Sequence, residues 1–386
     1  MFEIEDYFSA LNFNEISLGK KYEENQLGSK LIFEATSLEN IDIAIFDVQE
    51  DRRSDNIGCA KAGMEVRKHL FELYQGDYDL RVIDLGSIKA GNTLEDTHFA
   101  VEKVVESLIK KEVVPLIIGG SQDLTLACYK AYEALESYVN LVSIDARFPI
   151  EKEEEELNAS NYFSKILFHD SNTLFNFSNL GYQSFYVDNR ELEVINGLFF
   201  DIHRLGALKS DIRRAEPIIR NADFISFNMS AIAYSFMPAN INAGPNGFTG
   251  EEACQIARYA GMSDKLTSIG FYELNPTLDD RGMSAHLLAQ MIWYFIDGFY
   301  NRKKDYPVGS KKRYIKYMVP NSHSGRDIVF YKSPKSDRWW MEVPYPEGLS
   351  NKYKRHLMLP CTYEEYLVAT ADEIPERWFK TLQKLK

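Results

Sequence analysis

The sequence has few cysteines and no arrangement of them that is typical of a metal or redox site. Its four cysteines, Cys59, Cys128, Cys254 and Cys361, are far apart, and none belongs to a CxxC pair. This spacing excludes the common zinc and dithiol motifs and favours free thiols in a reducing cytoplasm. The beginning of the chain has no signal-peptide pattern. No apolar run reaches the roughly 18 residues that a membrane helix needs, so no membrane span is expected.

Basic residues are also fewer than acidic ones. The chain carries 44 Lys and Arg against 57 Asp and Glu, which gives a formal net charge of −13. Non-specific binding to nucleic acid or to anionic membranes relies on an excess of Lys and Arg, so neither partner is expected. The motifs HExxH, GxSxG and GxxxxGK[ST] are missing as well, which excludes the commonest metalloprotease, α/β-hydrolase and nucleotide-binding sites.

Apolar, β-rich runs alternate with helical patterns between residues 41 and 300. The runs that predict strands are 41–48, 81–85, 113–118, 139–145, 184–187, 223–228 and 265–272. The patterns that predict helices are 61–74, 95–112, 123–138, 209–221, 249–261 and 282–302. Such alternation is typical of parallel strands joined by helical crossovers, which predicts a three-layer α/β/α domain over residues 1–300.

The character of the sequence changes after residue 300. Residues 301–320 are basic, and residues 301–386 are too few to be expected to fold alone, so we predict a C-terminal extension that packs on the main domain. The aromatic residues Trp339, Trp340 and Tyr345 belong to types that are enriched at protein interfaces, and they form a candidate partner surface. The alternative is that they pack the extension against its own domain.

Polar segments follow four of the predicted strands. They are GGSQD at 119–123, DARFP at 145–149, SFNMSAIAYSFMP at 226–238 and ELNPTLD at 273–279. In parallel α/β sheets, ligands bind beyond the carboxyl ends of the strands, so the four segments are expected to converge on one edge. Each segment alone is weak evidence for a functional site, and the order and spacing of all four are more specific.

Taken together, these segments resemble the ureohydrolases, the superfamily of arginase, agmatinase and formimidoylglutamase. That family has GGDHS where this chain has GGSQD, DAHxD where it has DARFP, and a final motif that ELNPTLD matches well. The resemblance spans roughly residues 41–300. It implies a mainly parallel sheet of about eight strands, hydrolysis of C–N bonds in linear amidines or guanidines, two manganese ions and self-association.

The departures from the family pattern concern the metal ligands. Family members hold two Mn²⁺ with two histidines and four aspartates, and carried over position by position only Asp145 is retained. Glu273 matches the family's acidic residue near the substrate guanidinium. The degenerate active-site positions are Gln122, Asp145, Arg147, Pro149, Asn228, Ser230 and Glu273.

Loss of five of six ligands predicts that manganese is not bound. Mn²⁺ prefers carboxylate and imidazole donors, and without the metals no activated hydroxide forms at neutral pH. We therefore predict no catalytic residues and a non-catalytic binding or assembly component. Arg147 is hypothesised to enter the vacant cavity and to pair with Asp145, with Glu273 as a possible additional partner. Two alternatives stay open: a hydrolase with altered chemistry, for example with a single ion at Asp145, and a small-molecule sensor.

Overall fold

The computed structural model describes residues 4–35, 37–150, 156–169, 173–307, 310–344 and 351–385. Within these ranges, no helix is long and apolar enough to cross a bilayer. The four cysteines are buried and none of them forms a disulfide.

The centre of the molecule is a nine-stranded sheet with the order β1-β3-β2-β4-β9-β8-β5-β6-β7. Eight strands are parallel, and the short β1 adds to the edge antiparallel to β3. The predicted sheet of about eight mainly parallel strands is therefore confirmed. The strands are β1 (Phe8–Ser9), β2 (Ile43–Gln49), β3 (Val82–Lys89), β4 (Val114–Ile118), β5 (Val139–Ile144), β6 (Leu174–Tyr182), β7 (Asp201–Arg204), β8 (Phe224–Asn228) and β9 (Ser268–Tyr272).

Helices cover both faces of this sheet and complete the three predicted layers. One apolar core lies under α3, α10 and α11, and a second lies under α4, α5 and α6. These helices form because apolar side chains recur on one face; in α4, Val101, Val104, Val105 and Leu108 are all fully buried. The helices of this part are α1 (Phe13–Ser17), α2 (Leu27–Lys30), α3 (Ala62–Leu70), α4 (Leu94–Lys110), α5 (Leu124–Ala134), α6 (Tyr162–Leu167), α7 (Asn189–Gly197), α8 (Leu205–Ser210), α9 (Ala215–Arg220), α10 (Gly250–Gly261) and α11 (Met283–Tyr300).

One strand prediction is wrong. Residues 184–187 do not form a strand; Ser184–Tyr186 is a single 3₁₀ turn in which Phe185 is exposed. The strand lies earlier, in β6, where polar residues interrupt the apolar pattern. Asn176 is nevertheless buried, since its amide donates to Ser178 Oγ at 3.0 Å. Hydrogen bonding inside the sheet therefore allows a strand that hydrophobic patterning does not reveal.

The C-terminal extension forms a four-stranded antiparallel sheet followed by two helices. Its elements are β10 (Ile315–Val319), β11 (Ile328–Lys332), β12 (Trp339–Glu342), β13 (Met358–Cys361), α12 (Tyr363–Thr370) and α13 (Glu376–Lys384). The extension contacts the main sheet domain through charged groups. Arg355 pairs with the buried Asp223, and Arg338 Nε lies 3.2 Å from Glu216 Oε1.

The candidate partner surface requires a correction. Trp339 and Trp340 are only 8% and 1% exposed, because β12 is an inner strand covered on both faces. Trp340 packs under the guanidinium of Arg220, 4.6 Å from the ring centroid to Cζ. These two residues do not offer a partner surface, and Tyr345 lies outside the described residues.

Candidate functional site

The carboxyl edge of the parallel sheet brings the polar segments together as expected. Gln122 follows β4, Asp145 follows β5, Ser230 follows β8 and Glu273 follows β9. Two contacts join them in pairs: the Gln122 backbone N–H donates to Glu273 Oε1 at 2.8 Å, and Ser230 Oγ donates to Asp145 Oδ1 at 3.4 Å. Strand ends that are distant in sequence therefore share one site.

Asp145 is a buried carboxylate that forms no ion pair with any other residue in the described part of the chain. It is 5% exposed, and its Oδ1 accepts a hydrogen bond from the backbone N–H of Arg147 at 3.0 Å. Burial raises the pKa of Asp145 to about 6, although the hydrogen bond and the charge of Arg147 act in the opposite direction. The neutral form is therefore favoured more strongly than in an exposed aspartate.

The side chain of Arg147 does not take the place of the metal ions. Its guanidinium carbon lies 4.0 Å from the ring centroid of Tyr186, in a cation–π contact, and the residue is partly exposed. Among the described residues, no ion pair within 4.0 Å joins Arg147 to Asp145 or Glu273, so the hypothesised pairing is wrong. The ring of Tyr186 offers a contact that leaves the guanidinium partly hydrated, whereas the buried pair would require full desolvation.

Glu273 is held rigidly in the left-handed region of backbone space, at φ 67°. Its side chain accepts hydrogen bonds from Ser54 Oγ at 2.7 Å and from the Gln122 N–H, and its carbonyl accepts one from Asn56 Nδ2 at 2.9 Å. Burial raises the pKa of Glu273 to about 7, and the negative charge of Asp123 adds to the effect. A non-glycine residue with positive φ persists only where its surroundings determine it, so these bonds fix the carboxyl in place.

The remaining positions at which the resemblance places metal ligands carry neutral side chains. Gln122 is fully buried; its Nε2 donates to Ser226 Oγ at 2.6 Å, and its Oε1 has no hydrogen-bond partner among the described residues. Asn228 Oδ1 accepts from the Ser230 backbone N–H at 2.8 Å, which is a local turn contact. Pro149 is buried and has no side-chain donor atom.

These side chains do not fit a pair of manganese ions. The positions supply one carboxylate, at Asp145, and no imidazole. In the part of the chain that the structure describes, no group of three or more His, Cys, Asp or Glu is arranged to hold a metal ion. Mn²⁺ requires several anionic oxygen or imidazole donors, and the amide oxygen of Asn228 is already engaged by the backbone.

Several residues of the site were not predicted. Ser54 and Asn56 come from the loop after β2, another strand that ends at the same edge, and that position is the signal that could have revealed them. A third such residue is Asp123, which stands before α5 without a capping bond. Its carboxylate instead contacts His98 Nε2 at 2.8 Å and accepts a hydrogen bond from the hydroxyl of Ser121.

Comparisons with known proteins agree with this geometry. The family model "Arginase family" matches residues 41–297. Formimidoylglutamase of Staphylococcus haemolyticus is 24% identical over 257 residues, covering 64% of this chain and 81% of the relative. Formimidoylglutamase of Bacillus subtilis is 22% identical over 244 residues, covering 60% and 73% of the two chains.

Solved structures show the same fold. Formiminoglutamase of Trypanosoma cruzi, crystallised with Mn²⁺, superposes with a TM-score of 0.65 at 20% identity, covering 72% of this chain and 99% of that one. The Bacillus subtilis formimidoylglutamase structure gives a TM-score of 0.66 at 19% identity, with 74% and 96% coverage. Together with the ordered strand-end motifs, these matches show that the chain belongs to the arginase family.

Proposed function

We propose that this chain is a non-catalytic member of the arginase family that acts as a binding or assembly component. One observation supports the proposal above all. Of the six positions at which the family resemblance places metal ligands, only Asp145 carries a carboxylate, and the other five carry Gln, Arg, Pro, Asn and Ser.

The chemistry of hydrolysis explains why this matters. Attack on an amidine carbon at neutral pH requires a strong nucleophile, which metal ions supply by lowering the pKa of a bound water. Without such ions a general base would be needed. Asp145, with a pKa raised to about 6, is engaged by the Arg147 N–H and the Ser230 hydroxyl, and Glu273 is engaged by Ser54 and the Gln122 N–H. Both carboxylates therefore hold neighbouring segments of the protein together through these bonds.

A second candidate function is hydrolysis of linear amidines with altered or no metal dependence. The similarity to formimidoylglutamases favours it, as does the retention of Glu273. In this chain each oxygen of Glu273 already accepts one hydrogen bond from the protein, so a substrate would share this carboxylate with Ser54 and the Gln122 N–H. Because five of the six expected metal-ligand positions are altered, we rank this function below the non-catalytic one.

Metal analysis combined with an activity assay tests the proposal. The purified chain is dialysed against Mn²⁺, its metal content is measured by mass spectrometry, and release of formamide, urea or ammonia from formimino and guanidino substrates is followed. We expect substoichiometric manganese and no turnover. Two manganese ions per chain, with turnover that a chelator abolishes, would contradict the proposal.

A ligand-restored variant is the matched positive control. It introduces the family residues at the five altered positions, and its folding is checked by circular dichroism. We expect it to retain manganese that the natural chain loses on gel filtration, because the donors alone differ. The substitutions are Gln122→His, Arg147→His, Pro149→Asp, Asn228→Asp and Ser230→Asp.

A further inference from the structure

An aromatic groove lies between the far edge of the main sheet and the C-terminal extension. It encloses about 800 Å³. The main domain contributes Phe168, Phe175 and Phe200, and the extension contributes Tyr353 and Lys384. It is separate from the candidate functional site, because its lining comes from α6, α7, β6 and α13 and includes none of the residues described there. Its volume falls within the range of about 300–1,000 Å³ that is typical of small-molecule sites.

The groove exposes apolar side chains that a folded protein usually covers. Phe168 is 58% exposed, and Val194 and Leu198 are each 43% exposed, and all three line this groove. Single exposed apolar residues are common, but a cluster of them around a concavity is typical of a binding site. Among the described residues that line the groove, Glu193 is the acidic one.

Lys384 is the cationic group that lines the groove. Its Nζ donates to Asn176 Oδ1 and lies 5.6 Å from the ring centroid of Phe200 and 6.0 Å from that of Phe175. Among the described residues, no carboxylate lies within the 4.0 Å of an ion pair with it. A lysine has three N–H donors, so at least one is available to a ligand in a partly desolvated setting.

Among the described residues, Lys384 touches no carboxylate directly, and Asp201 is connected to it only through the Asn176 amide. Burial lowers the pKa of Lys384 to about 8; Asp201 acts against this, whereas the nearby Lys380 and Arg377 add to it. An anion placed beside Lys384 would gain mainly from Lys384 itself, because Lys380 and Arg377 already lie in ion pairs with Glu376 and Glu365. The aromatic rings around Lys384 reduce the screening of that interaction by water.

We propose that the aromatic groove binds a small amphipathic carboxylate, with its apolar body against Phe168 and Phe200 and its carboxylate at Lys384 Nζ. Glu193 on the rim orients such a ligand, because it repels the carboxylate from the outer end. The extension thus completes a ligand site that the arginase-family part of the chain does not contain by itself, since Lys384 and Tyr353 belong to the extension.

Calorimetric titration with two matched probes tests the charge requirement. The probes are 2-naphthoate and its neutral analogue 2-naphthalenemethanol. We expect saturable binding of one naphthoate per chain and at least about tenfold weaker binding of the alcohol, which is the effect of one charge-assisted hydrogen bond. Lys384→Met is expected to remove this preference, and Lys384→Arg to keep it.

A second pair of variants tests the location without touching the lysine. Val194→Trp fills the groove from α7, and Asn196→Trp places the same side chain on an exposed position of that helix outside the groove. We expect the first to abolish naphthoate binding and the second to leave it unchanged. Melting temperatures of all variants establish that they are folded.

Three results would overturn the proposal. They are the absence of saturable naphthoate binding to the natural chain, equal affinity for the acid and the alcohol, and naphthoate binding that survives Val194→Trp. If Lys384→Met does not fold, the Val194→Trp and Asn196→Trp pair and the comparison of the two probes still decide the question.

Discussion

Replacing Asp145 by Asn should make the protein more stable at alkaline pH. Asp145 is 5% exposed and has no ion-pair partner among the described residues, so the folded chain must bury its charge whenever the carboxyl ionises. Asn is close in shape, and its amide oxygen can still accept the hydrogen bond from the Arg147 N–H. The substitution therefore removes the charge and keeps the main contact.

The magnitude follows from the raised pKa. Burial shifts the pKa of Asp145 from 3.8 to about 6. Each unit by which the pKa differs between the folded and unfolded states is worth about 1.4 kcal/mol, so ionisation of Asp145 costs the folded state about 3 kcal/mol. The cost is absent well below the unfolded pKa of 3.8, where both states are protonated. It grows as the pH rises from about 4 to about 6 and is constant above that, where the folded carboxyl is ionised as well. Asp145→Asn should therefore stabilise the protein by about 1 kcal/mol at about pH 4.5 and by about 3 kcal/mol above pH 7.

Urea denaturation followed by the fluorescence of the four tryptophans measures this difference at about pH 4.5 and about pH 8. Asp280→Asn, at a fully solvated position, controls for the loss of one carboxylate from the chain. The reasoning would be refuted if Asp145→Asn destabilised the protein at the higher pH in the presence of Mn²⁺. A resident metal ion that binds the folded state would produce that result, because its ligand would then be lost.

Two further predictions concern packing. Arg67 is 1% exposed; its Nε donates to Asp84 Oδ2 at 2.8 Å, and its guanidinium also pairs with Asp47. Arg67→Met should lower the free energy of unfolding by about 3–5 kcal/mol, because it leaves two buried carboxylates without their ion-pair partner. Urea titration measures it, and a loss below about 1 kcal/mol would contradict the importance of this cluster. Trp340→Ala should cost about 3–5 kcal/mol by opening a cavity between the extension and α9. Circular dichroism melting measures it, and an unchanged melting temperature would mean that the extension is not docked through this residue.

Parallel strands could be recognised from the sequence because both faces of each strand are buried. Runs such as Val114–Ile118 must then be continuously apolar, and their order along the chain predicts the crossover architecture. The same rule could not find Leu174–Tyr182, since its polar residues satisfy one another inside the sheet. Hydrophobic patterning infers burial from residue type, so it misses a buried strand whose asparagine is hydrogen-bonded inside the sheet.

The motif residues of the candidate site were also available from the sequence, because they follow the predicted strands, whereas Ser54 and Asn56 were found only in the structure. The tertiary structure alone decided where their side chains go. Arg147 lies on Tyr186 rather than beside Asp145, and Trp340 is covered by Arg220 rather than exposed. In both cases the partner comes from a distant part of the chain. A contact of that kind depends on how the elements pack in three dimensions, and neighbouring residues in the sequence do not encode it locally.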